Sequence, residues 1–407
     1  MDKLVLLKKN LRFVIIITNR KVVLIMTYLE AGIEVLKIIE MNGYEAFFVG
    51  GFVRDYILGV ESNDIDITTN ALPSEMSNIF KIVNTGIKYN SVTIIYEGYS
   101  FEVTTYRLEG AYIDYRHPTY EVGKTLADDL KRRDFTINAM AMDKNLNVID
   151  LFGGLDDLKN KIIRTVYEPQ KRFTEDALRM LRATYFSAKL NFIIEIETLN
   201  AMKKCSHLVQ KLSNDRIAWE LEKLINSKYQ NIGIKYLIEC NIALYLGDFK
   251  DAIYLCYEKQ FKHIDWVEFL GISYYKNPDD LVDIHLKTNI SSTVRNAILL
   301  AKEISKNEFN RMIIFEQGLQ VCLIANNLNV MIHNCKDNSA LIIKENNALV
   351  IHSMSNLAIK GQDILENIEL RDNRMISEIL KEVMRLVILE KLENNKQCII
   401  KYIKTHY

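Results

Sequence analysis

The sequence predicts an α+β protein, with a mixed sheet and covering helices up to about residue 160 and an all-helical remainder. Two observations carry this reading. Eleven of the sixteen glycines precede residue 170, and only one proline, Pro278, follows Pro169. So few breakers over so long a stretch predict long uninterrupted helices in the C-terminal part. Before residue 160, short β-rich runs such as "EAFFVGG", "DIDITT", "SVTIIYEG" and "SFEVTTYR" alternate with helical segments, the texture of a sheet covered by helices. At 407 residues the chain is long enough for roughly two to four compact units.

Lysine plus arginine equals aspartate plus glutamate at 52 each, so the net charge near neutrality is zero. No global field draws the chain to nucleic acid, and a polyanionic partner has to be met by local patches. Cys205, Cys240, Cys256, Cys322, Cys335 and Cys398 are scattered, with no CxxC pair and no metal-ligand spacing to histidine. Reduced thiols in a cytoplasmic protein are expected. The first 25 residues carry six Lys/Arg against one acid. Their apolar run is interrupted by Asn19-Arg20-Lys21 and is too short to span a bilayer, and it lacks the small-residue cleavage pattern of a signal peptide. Residues 1–25 therefore read as an N-terminal extension or as a translation start set upstream of Met26, and no membrane partner is expected.

The first chemical signal is "FVGGFVRDYILGVESNDIDI". Asp64 and Asp66 read as part of a strand, where positions i and i+2 share a face. Two carboxylates on one face repel unless a cation lies between them, and Mg²⁺ suits the pair because it fills its other positions with water and phosphate oxygens. Gly50-Gly51 lets the backbone approach a phosphate chain closely at the start of the helix "FVRDYIL", and Arg54 could pair with the phosphates. A glycine turn beside a solvent-facing DxD is the plain alternative, and either motif alone would favour it. Next, "DDLKRRDFTINAMAMD" ends a basic cluster, Arg132-Arg133, before an apolar helix-like run containing Asn138. Triphosphate contact by Arg133 stands there against a solvated helix end.

The third stretch, "FTEDALRMLRATYF", places Asp176, Arg179 and Arg182 three residues apart, on one face if the run is helical. Such pairs are usually weak surface ion pairs. Cytosine and adenine, however, present an exocyclic amine beside an unprotonated ring nitrogen, whereas uracil and guanine present a carbonyl beside a ring N–H. A carboxylate only accepts and a guanidinium only donates. Asp176 with Arg179 at one base edge would therefore accept C or A and reject U or G, at about 1–3 kcal/mol per mismatched group.

Taken in order, "VGGFVRD", "DIDITTNALP", "EVTTYR", "YIDYRHP", "DLKRRDFTINAMA", "DLFGGLDDL" and "FTEDALRMLRA" resemble the bacterial class II tRNA nucleotidyltransferases, the CCA-adding enzymes. The match is dense from about residue 40 to 225, and "LAIKGQDIL" and "ISEILKEVMRLVILEKLENNK" are similar to the family's tail. The resemblance implies a nucleotidyltransferase head over 26–160, a helical neck with a nucleotide-selecting helix over 161–230, a helical body over 231–325 and a tRNA-binding tail over 326–407. It implies addition of C, C and A to the tRNA 3′ end from CTP and ATP, with Mg²⁺ as cofactor and with contacts to the tRNA 3′ end and elbow. By motif position, Asp64 and Asp66 are the catalytic metal ligands. Gly51, Arg54 and Arg133 contact the nucleotide, Asp176 with Arg179 selects the base, and Arg182 matches a further nucleotide-binding arginine. "RLEGAYIDYRHPTYEVG" corresponds to the family's flexible loop, with Asp114 and Arg116 at its characteristic positions. Glu102 is a nearby carboxylate with a catalytic or a structural role.

Three departures stand out. Tyr185 replaces a usual third arginine, residues 85–92 depart from a head-domain turn pattern, and "RDNRM" at 371–375 replaces a glycine-proline segment. The alternatives are a partial CC- or A-adding enzyme, a bacterial poly(A) polymerase, and a catalytically silent RNA-binding relative. The loop favours full CCA addition, the tail match favours tRNA over polyadenylation, and the retained acids and arginines count against silence.

Overall fold

The computed structural model describes residues 13–18, 21–62, 64–83, 90–112, 118–283, 288–304, 309–368, 372 and 374–407. The chain divides into two compact units, Met1–Gly247 and Asp248–Tyr407.

The first unit is built on a mixed sheet, as the β-rich runs require. A hairpin of β1 (Phe13–Thr18) and β2 (Lys21–Met26) leads into helix α1 (Tyr28–Met41). Thr27 caps α1 in a reciprocal box with Glu30, satisfying two of the helix's orphan donors. Ala31, Val35, Leu36 and Ile39 bury its apolar face. Then follow β3 (Ala46–Val49), α2 (Gly51–Ile57), β4 (Asp66–Thr69), α3 (Pro73–Ile79), β5 (Ile82–Val83), β6 (Ser91–Tyr96) and β7 (Tyr99–Thr105). The hairpin β8 (Arg107–Tyr112) and β9 (Pro118–Val122) stands as a separate two-stranded sheet. Helix α4 (Leu126–Lys131), β10 (Met140–Met142) and β11 (Val148–Asp150) complete the sheet segment, whose order is β11-β10-β3-β4-β7-β6-β5.

Register positions the site. Antiparallel pairing sets Val49 opposite Asp66, and parallel pairing sets Asp66 opposite Glu102. Val49, just before the glycine turn, Asp66 and Glu102 thus share one row across three strands. Ahead of the ladder, the burial alternation continues, with Ile65 and Ile67 inside. The Ile65 amide donates to the Tyr28 hydroxyl at 3.2 Å, and Tyr28 donates to the Ser100 carbonyl at 2.8 Å. Asp64 therefore precedes the strand rather than lying within it, although it keeps the parity expected of it.

The run after Arg133 is not helical. It makes one 3₁₀ turn, Thr136–Asn138, and enters β10, because Thr136, Met140 and Met142 are clamped under helix α5 (Gly154–Asn160) and the sheet. A Cβ on Gly154 would lie 2.4 Å from the Thr136 carbonyl oxygen and 2.9 Å from the Met140 side chain. Gly154→Ala is expected to destabilise the fold by about 1–3 kcal/mol, read as a lowered urea midpoint at unchanged slope; an unchanged midpoint would show that this approach is relaxed at no cost.

Helices α6 (Pro169–Glu175), α7 (Leu178–Leu190), α8 (Ile196–Cys205), α9 (Asn214–Ile225) and α10 (Gln230–Glu239) follow. Helix α7 packs against α9 and α10. The described regular elements of the second unit are all helices, from Lys250–Lys259 to Lys396–His406, yet the longest, Thr288–Glu303, has only 16 residues. Asparagine rather than glycine or proline provides several of its punctuation marks. Asn310 and Asn395 cap helix starts with their side chains, and Asn334 ends a helix in the left-handed conformation. No described helix is long and apolar enough to cross a membrane. All six cysteines are unpaired.

Candidate active site

Gly50, Gly51, Arg54, Asp66, Arg133, Asp176, Arg179 and Arg182 line one cleft of about 540 Å³ in the first unit. With Arg132, Lys189, Arg216 and Lys223, its wall carries eight basic side chains against three carboxylates, the third being Asp134. This is a local polyanion site on a chain of zero net charge, of a size suited to a nucleotide-class ligand.

At one wall, Gly50 has φ +70°, and a Cβ there would lie 2.9 Å from Arg133 Nη1 and 3.6 Å from Asp66 Oδ2. Glycine is required twice over, for the dihedral and for the space between a guanidinium and a carboxylate. Burial pushes Asp66 up to about 6, and the Asp64 and Glu102 carboxylates add to it, with Arg133 opposing. Hard oxygen donors with one cationic neighbour fit Mg²⁺, which needs only one or two carboxylates when phosphates and water supply the rest. Among the described residues there is no gathering of three or more His, Cys, Asp or Glu side chains able to hold a metal by themselves.

The arginines are held in place by the protein. Arg54 is buried, donates from Nε to Asp55 at 2.8 Å and from Nη1 to Asn138 at 2.6 Å, and its guanidinium lies 5.2 Å from the Phe186 ring centroid. Arg182 lies over the same ring at 5.2 Å and donates to Asp134 at 2.7 Å. Burial pushes Asp134 upward, but Arg182, Asn138 and the Phe135 amide outweigh it and hold the carboxyl below its usual range. Arg133 pairs at 3.0 Å with Asp129, a fully buried acid also bound by Arg132 at 2.7 Å.

Asp176 is not on the helix that carries its partners. It is the extended C-cap of α6, φ −143° and ψ 105°, while α7 starts at Leu178. Its carboxylate accepts from the Leu178 amide at 3.0 Å and, through both oxygens, from Arg216 Nη2 at 3.3 Å. The break arises because the Asp176 side chain turns back to bond the first turn of the next helix, as short acids do at helix ends. Arg179, 6 % exposed, donates to the Arg172 carbonyl at 3.0 Å, to Glu175 at 3.1 Å and to the Arg132 carbonyl at 3.3 Å. The guanidinium thereby ties α7 to the end of α4 and is fixed in plane.

Arg216, Lys189 and Lys223 were not foreseen. The signal for two of them was present, since Arg216 and Lys223 are seven apart on α9 and share a face. Tyr185 is half-buried with its ring 5.0 Å from Phe186, and burial pushes its hydroxyl upward. Asp114 and Arg116 lie outside the described residues, as do Arg371 and Asn373 and most of the 85–92 turn.

The chain is similar to known proteins over most of its length. The "Poly A polymerase head domain" model matches residues 46–164, the "Probable RNA and SrmB- binding site of polymerase A" model matches 191–249, and the tRNA nucleotidyltransferase domain 2 model matches 268–403. The CCA-adding enzyme of Ligilactobacillus salivarius is 35 % identical over 396 residues, covering 91 % of this chain and 95 % of the relative. That of Staphylococcus haemolyticus is 36 % identical over 388 residues, covering 91 % and 96 %. The crystal structure of the Bacillus stearothermophilus CCA-adding enzyme in complex with CTP superposes with a TM-score of 0.79 at 27 % identity, covering 93 % of this chain and 98 % of that one.

Proposed function

The chain belongs to the CCA-adding enzymes, a family of tRNA nucleotidyltransferases, and from that premise we propose that its cleft adds C, C and A to the tRNA 3′ end from CTP and ATP without a nucleic-acid template. The observation that carries this reading is the convergence in one cleft of Asp66 and Arg133 about Gly50 with Asp176, Arg179 and Arg182. Support for the ligands comes from the relative crystallised with CTP.

In this reading the tRNA 3′-hydroxyl attacks the α-phosphate in line and pyrophosphate leaves. Asp64 and Asp66 would hold Mg²⁺. When bound, the ion supplies charge stabilisation at the α-phosphate and makes the hydroxyl more acidic. Glu102, in register with Asp66, raises the negative potential there. Arg133 and the Gly50-Gly51 turn take the phosphates, while Arg54 and Arg182, braced by Asp55 and Asp134, keep the cleft cationic without drifting. Asp176 accepts the exocyclic amine of C or A, and Arg179 donates to the neighbouring ring nitrogen. The helical second unit, with Lys401 and Lys404 exposed near its end, contacts the tRNA backbone by charge and shape.

The test is incubation with tRNA transcripts ending before CCA, after one C and after both, with each triphosphate supplied singly and then together. The reading expects two C additions followed by one A and then arrest. Growth that stops at CC, or continues as an A tract, replaces it with a partial enzyme or a poly(A) polymerase.

Arg216 is a positioning residue in this scheme, since it orients the Asp176 carboxylate from outside the base edge. Arg216→Ala is expected to lower the preference for CTP over UTP about three- to tenfold, the net worth of one ordinary hydrogen bond, with partial recovery in Arg216→Lys. A loss of turnover with unchanged preference would give Arg216 another role.

A further inference from the structure

We propose that Trp219 is a stacking platform for the unpaired 3′ end of the RNA acceptor at the mouth of the cleft; this rests on the reading of the cleft as a tRNA nucleotidyltransferase site. The chain has two tryptophans. Trp266 is buried at 4 % exposure, as a large indole is expected to be, whereas Trp219 is 66 % exposed. A lone exposed apolar side chain needs no explanation by itself. The neighbours of this one set it apart. Trp219 follows Arg216 by three positions and precedes Lys223 by four on α9, so the three side chains form one stripe on the helix. Both cations of that stripe line the cleft. Lys223 Nζ stands 5.1 Å from the Trp219 ring centroid and is held by Glu220 at 2.8 Å. Arg216 at the other end holds Asp176. The opposite face of α9 is spent on the core through Ile217, Leu221 and Leu224.

A flat aromatic surface bracketed by two cations, beside a basic groove, is the arrangement that binds single-stranded nucleic acid. The cations take the phosphates, and the ring takes a base of any identity because every base has a π-face. Sequence tolerance matters here, because the acceptor end changes after each addition while the platform does not. A free triphosphate is the weaker occupant, since Asp176 and Arg179 already account for its base.

The test uses acceptor-stem RNA hairpins that are blunt or carry one or two unpaired 3′ nucleotides, titrated into the full chain while tryptophan fluorescence is followed. Overhang hairpins are expected to quench the signal in the wild type and not in Trp219→Phe, and blunt hairpins to quench less. With a tRNA transcript lacking CCA, Trp219→Ala should raise KM for the tRNA about five- to a hundredfold, the range that base–aromatic stacking supplies, with KM for CTP unchanged and most of the loss recovered in Trp219→Phe. Equal quenching by blunt and overhang hairpins, an unchanged KM for tRNA in Trp219→Ala, or an effect confined to KM for CTP would each overturn the platform. Failure of the wild type to add any nucleotide contradicts the enzymatic reading instead, while the quenching titration, which needs no turnover, still judges Trp219.

Discussion

Asp66→Asn is expected to lower nucleotide incorporation by about a hundred- to a thousandfold, the scale lost when a charge-stabilising group is removed from a transition state, while the folded protein becomes more stable without metal. The two effects have one cause. Asp66 is pushed up from 3.8 to about 6 by burial and by the Asp64 and Glu102 carboxylates. A folded-state value above the ordinary one means that ionising the group costs the fold. The stability it contributes is fully present below pH about 4 and is lost as the pH rises through about 6. At pH 7 the aspartate therefore opposes folding, and the neutral amide relieves that by an amount on the order of 1–2 kcal/mol, read as a raised melting temperature in the presence of a chelator. The same titration sets a pH dependence. A carboxyl must be ionised to hold a cation, so apparent Mg²⁺ affinity should fall as the pH drops through about 6 in the wild type. An Asp66→Asn protein that is inactive and also less stable would show a structural role. One with near-normal turnover would remove Asp66 from the chemistry.

The second large effect is on base choice. Asp176→Ala with Arg179→Ala should degrade discrimination against UTP and GTP by roughly ten- to a hundredfold, as each mismatched edge is worth about 1–3 kcal/mol. Because Arg179 also ties the Arg172 and Arg132 carbonyls, the double variant loses stability as well, and a loss of turnover alone would be ambiguous. Asp176→Asn resolves this. The amide keeps one acceptor and gains a donor that can face the uracil carbonyl, so UTP use should rise in absolute terms while CTP use falls. Discrimination that stays at the wild-type ratio in both variants would remove the protein template from the account.

The sheet was legible because its strands are short β-rich runs with buried alternate positions, and "DIDITT" and "SFEVTTYR" appear as the paired strands β4 and β7. The cleft was legible because its motifs are local to turns whose outcome the residue types dictate, Gly50 most of all. Two local readings failed for physical reasons. "DFTINAMA" looks helical by composition but is taken into the sheet by pairing with β3 and β11, a tertiary contact that propensity does not see. Asp176 looks like the first member of a helical triplet but breaks the helix by capping it. Arg216 was harder still, since it comes to Asp176 through packing rather than through spacing along the chain, whereas Glu102, named from its strand, comes to Asp66 through register.

The measurement that bears most directly on the account is Mn²⁺ binding, followed by water-proton relaxation, in the presence of a CTP analogue whose α–β bridge cannot be cleaved. Nucleotide and ion are expected to bind together in the wild type, Asp66→Asn to lose the ion, and Asp176→Asn to keep it while weakening the cytosine analogue. Mn²⁺ that binds equally well to the wild type and to Asp66→Asn would contradict it.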